Sequence, residues 1–212
     1  MRITHLGHSA VLVEVADRRL LLDPGDFSDA WHGLTDLDAV LVTHQHKDHV
    51  DADRLPALLA ANPDAQLWVE PQVLGMYDLP TARGIAADET IDLGGVTVAA
   101  VGGLHAVIHR DIPQVGNVGL VVRAEGEPTL FQPGDSLAVA PQGIDVLCLP
   151  AMGPWAAMKE HIEFGRAVGA PQGFLVHDAL LSERGWKLAY GRLGEMCEIE
   201  LKDLRDGGVW HV

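Results

Sequence analysis

The segment Thr43-His44-Gln45-His46-Lys47-Asp48-His49 sets three imidazoles and a carboxylate within six residues, directly after the apolar run from Ala39 to Thr43. His44 and His46 stand two apart, so an extended backbone sends both to one side. Asp48 and His49 follow from the turn and can face a neighbouring point. Imidazole nitrogen and carboxylate oxygen suit a borderline-soft cation such as zinc. A cation held this way brings the pKa of its water towards neutrality and so makes a hydroxide nucleophile for an electrophilic carbon or phosphorus. The bland alternative is a solvated, histidine-rich loop. Four clustered polar groups behind a buried strand argue against it, because burying them without a shared partner is costly.

The elements that must carry this cluster can be read from apolar patterning. Ile3 to Leu6, Ala10 to Val15 and Arg19 to Leu22 read as short strands, broken by Asp23-Pro24-Gly25-Asp26. Ala39 to Thr43 is a buried strand that runs into the cluster. Asp51 is expected to cap a helix over 52–61, closed by Asn62-Pro63. Gln66 to Val69 returns to strand, and Pro71 opens a short helix. Ile91 to Leu93 and Val96 to Val101 flank Gly94-Gly95 as a hairpin, and Gly119 to Arg123 with Pro128 to Phe131 make a second. Asp145 to Leu149 and Gly173 to Val176 are further strands. Helices are expected over Trp155 to Val168 and Trp186 to Cys197, and the acidic tail ends in a turn at Gly207-Gly208. There is no repeat and no low-complexity linker. The expected solution is one domain over 1–212, two packed sheets with helices outside.

Composition narrows the chemistry. The chain has 212 residues, 48% hydrophobic and 21% charged, an ordinary globular balance that excludes disorder. Thirty acidic against fifteen basic residues give a formal charge of −15. Such a surface repels phosphate backbones and anionic bilayers, so neither nucleic acid nor membrane is an expected partner. Cys148 and Cys197 are too few for a disulfide framework and are expected to be two free, buried thiols rather than a bridge. The start of the chain lacks a leader pattern and no run suits a spanning helix, so a soluble, cytoplasmic protein is expected. No glycine-rich phosphate loop is present.

The sequence resembles the metallo-β-lactamase superfamily. His44, His46, Asp48 and His49 match its HxHxDH signature. Leu20 to Gly25 (LLDPG) resembles the segment that precedes the signature. Gly102-Gly103-Leu104-His105 resembles the block of the middle histidine, Pro133-Gly134-Asp135 the glycine–aspartate motif, and Phe174-Leu175-Val176-His177 the closing histidine. The opening Leu6-Gly7-His8-Ser9-Ala10 is similar to the small ascorbate-6-phosphate-lactonase-like branch. The resemblance implies a four-layer αββα sandwich of two mixed sheets flanked by helices, a metal-dependent hydrolase, and the following sites. His44, His46 and His105 would hold one metal; Asp48, His49 and His177 would hold the other; Asp135 would bridge them. Zinc leads, as one or two ions, with manganese or iron open because no cysteine takes part.

Each residue also has a plainer reading. Either His105 or His109 could be the middle ligand, the other then facing substrate. Asp135 is either a ligand or the cap of a helix starting at Ser136. His177 is either a ligand or a satisfied core histidine. Asp23 either hydrogen-bonds His44 or His46 or makes a turn with Pro24. Asp48 or Asp135 would orient the nucleophile or shuttle a proton, and the resemblance places His8 near the pocket as a third catalytic group. Arg110 beside His109 is the cation best placed for an anionic substrate. Trp31, in a polar loop, is expected to be exposed and to contact substrate. Trp155 either lines the pocket or staples a helix start, and His161 is expected to be solvated on its helix. The expected reaction is cleavage of an ester or lactone of a small molecule. A small phosphodiester, or iron-based redox chemistry on the same fold, is the alternative. A homo-oligomer is compatible with all of this.

Overall fold

The computed structural model describes residues 1–212. Its strands are β1 (Arg2–His5), β2 (Val11–Val15), β3 (Arg18–Leu22), β4 (Ala39–Val42), β5 (Gln66–Val69), β6 (Ala82–Gly84), β7 (Thr90–Asp92), β8 (Val96–Gly102), β9 (Val118–Ala124), β10 (Leu130–Gln132), β11 (Val146–Pro150), β12 (Gln172–Val176), β13 (Glu200–Lys202) and β14 (Val209–His211). The helices are α1 (Leu55–Ala61), α2 (Pro71–Met76), α3 (Met158–Val168) and α4 (Glu183–Cys197).

Two seven-stranded mixed sheets result, in the orders β14-β1-β2-β3-β4-β5-β6 and β13-β12-β11-β10-β9-β8-β7. Their facing sides meet in one apolar core that takes Leu20, Leu22, Leu41, Val98, Leu120, Val146 and Phe174, among others. The outer side of the first sheet packs Val40, Val42 and Leu67 under Leu55 and Leu58 of α1 and Val73 of α2. The outer side of the second packs Leu147 and Leu149 under Phe164 and Val168 of α3 and Leu193 of α4. This is the expected four-layer αββα sandwich. β4 is buried along its whole length because Ala39 and Leu41 face one core while Val40 and Val42 face another. β8, only partly covered on its outer side, instead alternates buried Val96, Val98 and Ala100 with more exposed neighbours.

Several expectations are corrected. α1 begins at Leu55, not at 52, with Pro56 in its first turn. Asp51 accepts from the backbone N–H groups of Asp53 and Arg54 ahead of it. α3 begins at Met158, because Trp155 is drawn away from the helix by the Gly153–Ala156 bridge and by the bond its indole makes. No helix starts at Ser136, so the capping reading of Asp135 falls. His161 is not solvated: it is 2% exposed, its Nδ1 faces the Ala157 carbonyl, and its ring lies 5.6 Å from that of Trp155. Trp31 is not exposed either. It is fully buried in the core beneath α1 and donates from Nε1 to the Gly25 carbonyl at 3.0 Å, so it is a packing residue with no path to substrate. The tail continues past its Gly207 turn into β14, which pairs with β1. Cys148 and Cys197 are both free and buried. No helix is long and apolar enough to cross a membrane.

Candidate metal centre

Loops from one end of both sheets converge on one place. His8 lies on the β1–β2 turn, Asp23 follows β3, and His44 to His49 follow β4. From the other sheet His105 follows β8, Asp135 follows β10 and His177 follows β12. Two backbone bonds tie the sheets across the gap, Val118 N–H to the Thr43 carbonyl at 2.9 Å and His177 N–H to the His8 carbonyl at 2.8 Å, and Ala106 N–H to the Asp135 carbonyl at 2.8 Å joins two loops of the second sheet.

The local backbone is fitted to this purpose. Gly25 has the Asp48 carbonyl pressed against it so closely that a Cβ there would collide with the Asp48 and His49 backbone. The LLDPG segment thus carries glycine because two chains touch. Gly134 has φ of +62°, and a Cβ on it would strike Asn117 and meet Thr43 at 2.8 Å. His8, Asp23 and His177 also hold positive φ, at 52°, 46° and 58°. Non-glycine residues in that region cost of order 1–3 kcal/mol each and collect where function demands a fixed side-chain direction.

Two groups of potential ligand atoms form, each with its atoms within 4.8 Å of one another: His44, His46, His105 and Asp135, and His8, Asp48, His49 and His177. Asp135 joins them. One of its oxygens is 3.2 Å from His49 Nε2; the other is 3.2 Å from His177 Nε2, 3.4 Å from His105 Nε2 and 3.9 Å from His44 Nε2. His109 and Arg110 are not brought to the cluster: both side chains are exposed, His109 Nδ1 accepts from the Asp111 backbone N–H at 3.2 Å, and Arg110 is ion-paired with Asp111. His105 is the buried histidine of that loop.

Surrounding bonds set which nitrogen of each ring carries a proton. Asp23 Oδ2 lies 2.9 Å from His49 Nδ1, so that nitrogen donates to Asp23; in the metal-free fold Asp135 and Asp23 outweigh burial and hold the ring charged, and Nε2, 3.2 Å from Asp135, is the nitrogen a metal would take in place of its proton. His105 Nδ1 donates to the Ala106 carbonyl at 2.6 Å, freeing Nε2. Thr43 Oγ1 donates to Asp23 and accepts from His44 Nδ1 at 3.1 Å, freeing His44 Nε2. His8 is the reverse. Its Nδ1 accepts from Ala179 N–H at 3.3 Å, so its Nε2 holds the proton and donates to Asp48 Oδ2 at 3.1 Å. Asp23 therefore serves His49, not His44 or His46. Two further groups position Asp135: Trp155, for which the sequence allows either lining the pocket or stapling a helix start, and Asn117, which it does not single out. Trp155 donates from Nε1 to Asp135 Oδ2 at 2.9 Å. Asn117 receives the Asp135 N–H at 2.9 Å and donates to the Pro133 carbonyl at 3.0 Å.

The electrostatics call for positive charge. Burial raises the Asp135 carboxyl, yet the charge of His49 and the contacts of His105 and His177 outweigh it and hold it well below the carboxylate range. Asp48 behaves alike: burial raises it, and bonds from His177 and His8 drive it far down. Burial lowers His177, but Asp135 and Asp48 lift it to about 9. His44 is pushed well below its ordinary value by burial and then by His49. Buried Asp135 and partly buried Asp48 thus hold protons on neighbouring imidazoles. Meanwhile His49 Nε2, His105 Nε2, His177 Nε2 and Asp135 Oδ1 are buried and aimed together without hydrogen-bonding one another. Converging nitrogen and oxygen donors, with two anions among them whose pull on protons a metal would replace, fit a divalent cation.

The family model described as a beta-lactamase superfamily domain matches residues 2–171. The chain belongs to that family. Protein Rv0786c of Mycobacterium tuberculosis is 41% identical over 205 residues, which cover 96% of each chain. A UPF0173 metal-dependent hydrolase of Rhizobium etli is 30% identical over 191 residues, covering 80% of this chain and 78% of that one. Among solved structures, Igni18, a metallo hydrolase of Ignicoccus hospitalis, superposes with a TM-score of 0.74 at 16% identity, covering 100% of this chain and 98% of that one. At that identity the likeness speaks to the fold.

Proposed function

We propose that this chain is a metal-dependent hydrolase that cleaves an ester or lactone of a small molecule, with zinc as the resident metal. The observation that carries the reading is the convergence of orphaned, buried ligand atoms from three separate loops, those of His49, His105 and His177, on Asp135 of a fourth. In this reading His44, His46 and His105 would hold one cation, Asp48, His49 and His177 a second, and Asp135 would serve both groups. A cation held there supplies Lewis acidity, polarising a carbonyl and making water nucleophilic near neutral pH.

The remaining work falls to the chain's own groups. His46 and Asp48 are the members of the two groups that are not fully buried, so substrate approaches over them. His8 Nε2–H and His177 both sit against Asp48 Oδ2. That leaves Oδ1 without a hydrogen bond and free to orient the attacking water or take its proton. Trp155 N–H pins Asp135 and so fixes the spacing of the two groups. Asp23 and the Ala106 carbonyl hold His49 and His105 in the tautomers that present Nε2.

Elemental analysis of the purified protein, joined to a panel of lactones, carboxylic esters and phosphodiesters with and without chelator, tests the reading. Bound zinc with chelator-sensitive lactone or ester turnover is expected, and His46→Ala should lose both. Full activity in chelator, or in His46→Ala, would refute it. Iron with a visible absorption band would point instead to redox chemistry, and preferred phosphodiester turnover to the other hydrolytic class.

A further inference from the structure

Beside the centre lies a cleft of about 340 Å³, at the small end of the roughly 300–1,000 Å³ that ligand sites occupy. Its wall includes His105, a member of the cluster, and Trp155, which holds Asp135, so it abuts the cluster. The rest is largely apolar, with Leu104, Val107 and Leu137 the larger side chains. Leu104 and Val107 stand 57% and 60% exposed at the rim. Exposed aliphatic side chains grouped in one cleft, rather than scattered singly, mark a ligand-binding groove. The lining has no lysine or arginine. Its one carboxylate, Glu160, is turned onto the backbone N–H of Ala157. Gln114 is likewise committed, donating from Nε2 to the His105 carbonyl at 2.5 Å. Nothing in the cleft would neutralise a phosphate or carboxylate, and the chain's formal charge of −15 opposes anions further.

We propose that this cleft takes the apolar alkyl or acyl portion of an uncharged ester or lactone and sets a preference for chain length. The inference rests on the hydrolytic reading of the centre. An anionic substrate is the competing occupant, and Arg110, the cation singled out from the sequence, is outside the lining, exposed and paired with Asp111.

The test is a series of γ-lactones, from γ-butyrolactone to γ-octalactone. Burying half or all of each methylene should raise kcat/KM about two- to fourfold per carbon, or roughly 20- to 250-fold across the four added carbons. Val107→Asp should cut the octalactone-to-butyrolactone ratio at least tenfold, and Leu104→Ser at least threefold. Leu188→Asp, at an exposed position on α4, should keep the wild-type ratio. A flat series, or a ratio untouched in Val107→Asp and Leu104→Ser, overturns the cleft while leaving hydrolysis standing. Saturation-transfer NMR of γ-octalactone with chelator-stripped protein gives a readout independent of turnover. Signal that disappears in Val107→Asp supports the cleft even if no lactone is hydrolysed. No signal from the wild type, or equal signal in both proteins, overturns it.

Discussion

Asp23→Asn removes one charge and hardly any volume, and its effect can be worked through atom by atom. The carboxylate is fully buried. Its Oδ1 accepts from Thr43 N–H at 2.8 Å, and its Oδ2 accepts from Thr43 Oγ1 at 2.9 Å, His49 Nδ1 at 2.9 Å and Gln132 Nε2 at 3.3 Å. An asparagine must turn its NH₂ to one side. Facing Thr43 N–H, it meets a backbone donor that cannot be reversed. Facing the other way, it meets Gln132 and His49, and His49 can adapt only by moving its proton to Nε2. That is the atom 3.2 Å from Asp135, and a protonated nitrogen cannot bind a metal. Two bonds to a charged acceptor are lost, at the lower end of about 1.5–3 kcal/mol each, so roughly 3 kcal/mol of stability should go. For a chain of this size that is a fall in melting temperature of about 6–12 °C. Loss of a group that orients a ligand should weaken metal binding about 10- to 100-fold. Urea unfolding in chelator reads the first effect, and metal competition against a chromogenic chelator reads the second. A variant that is destabilised yet keeps wild-type metal affinity would refute the tautomer argument.

Other consequences follow from the same geometry. Gly25→Ala should displace the Asp48–His49 turn, costing more than about 2 kcal/mol as an overpacking change and lowering bound metal, measured by urea unfolding and elemental analysis. His177 is lifted in the metal-free fold to about 9 from an ordinary 6.5. Its contribution to metal-free stability is therefore complete below about pH 6.5 and is lost as pH rises through 9. Metal uptake should release protons, and affinity should climb with pH up to about 9, as read by competition titrations at several pH values. Burial pushes the Cys148 thiol well above its ordinary value, so a thiol reagent should label it only after denaturant is added.

How much of this was legible in the sequence depends on what each signal encodes. The HxHxDH run, the two hairpins and the doubly buried β4 announce themselves through local spacing, and the strand ends that carry His105, Asp135 and His177 follow from the same patterning. Contacts between distant segments do not. Nothing near Trp31 reveals that its ring lies beneath α1 with its N–H on Gly25. Nothing near Trp155 reveals Asp135. His161 looks like a surface residue because its neighbours Glu160 and Glu163 are polar, but the helix turns it inward. Asp23 is four bonds deep in the site, yet locally it is only the residue before a proline. The short edge strands β6, β13 and β14 are three residues each. Their pairing comes from the neighbouring strand rather than from their own composition.

The division of the ligands between the sheets has a mechanical meaning. His44, His46, Asp48 and His49 ride on one sheet, and His105, Asp135 and His177 on the other. Neither half can build the site alone, so an ion seated there works as a rivet through both leaves of the sandwich. Stripping it should let that rim splay and speed amide exchange there first, while the opposite rim stays shut. A loosened rim would also leave the protein easier to clip in its metal-starved form, linking its lifetime to its metal supply.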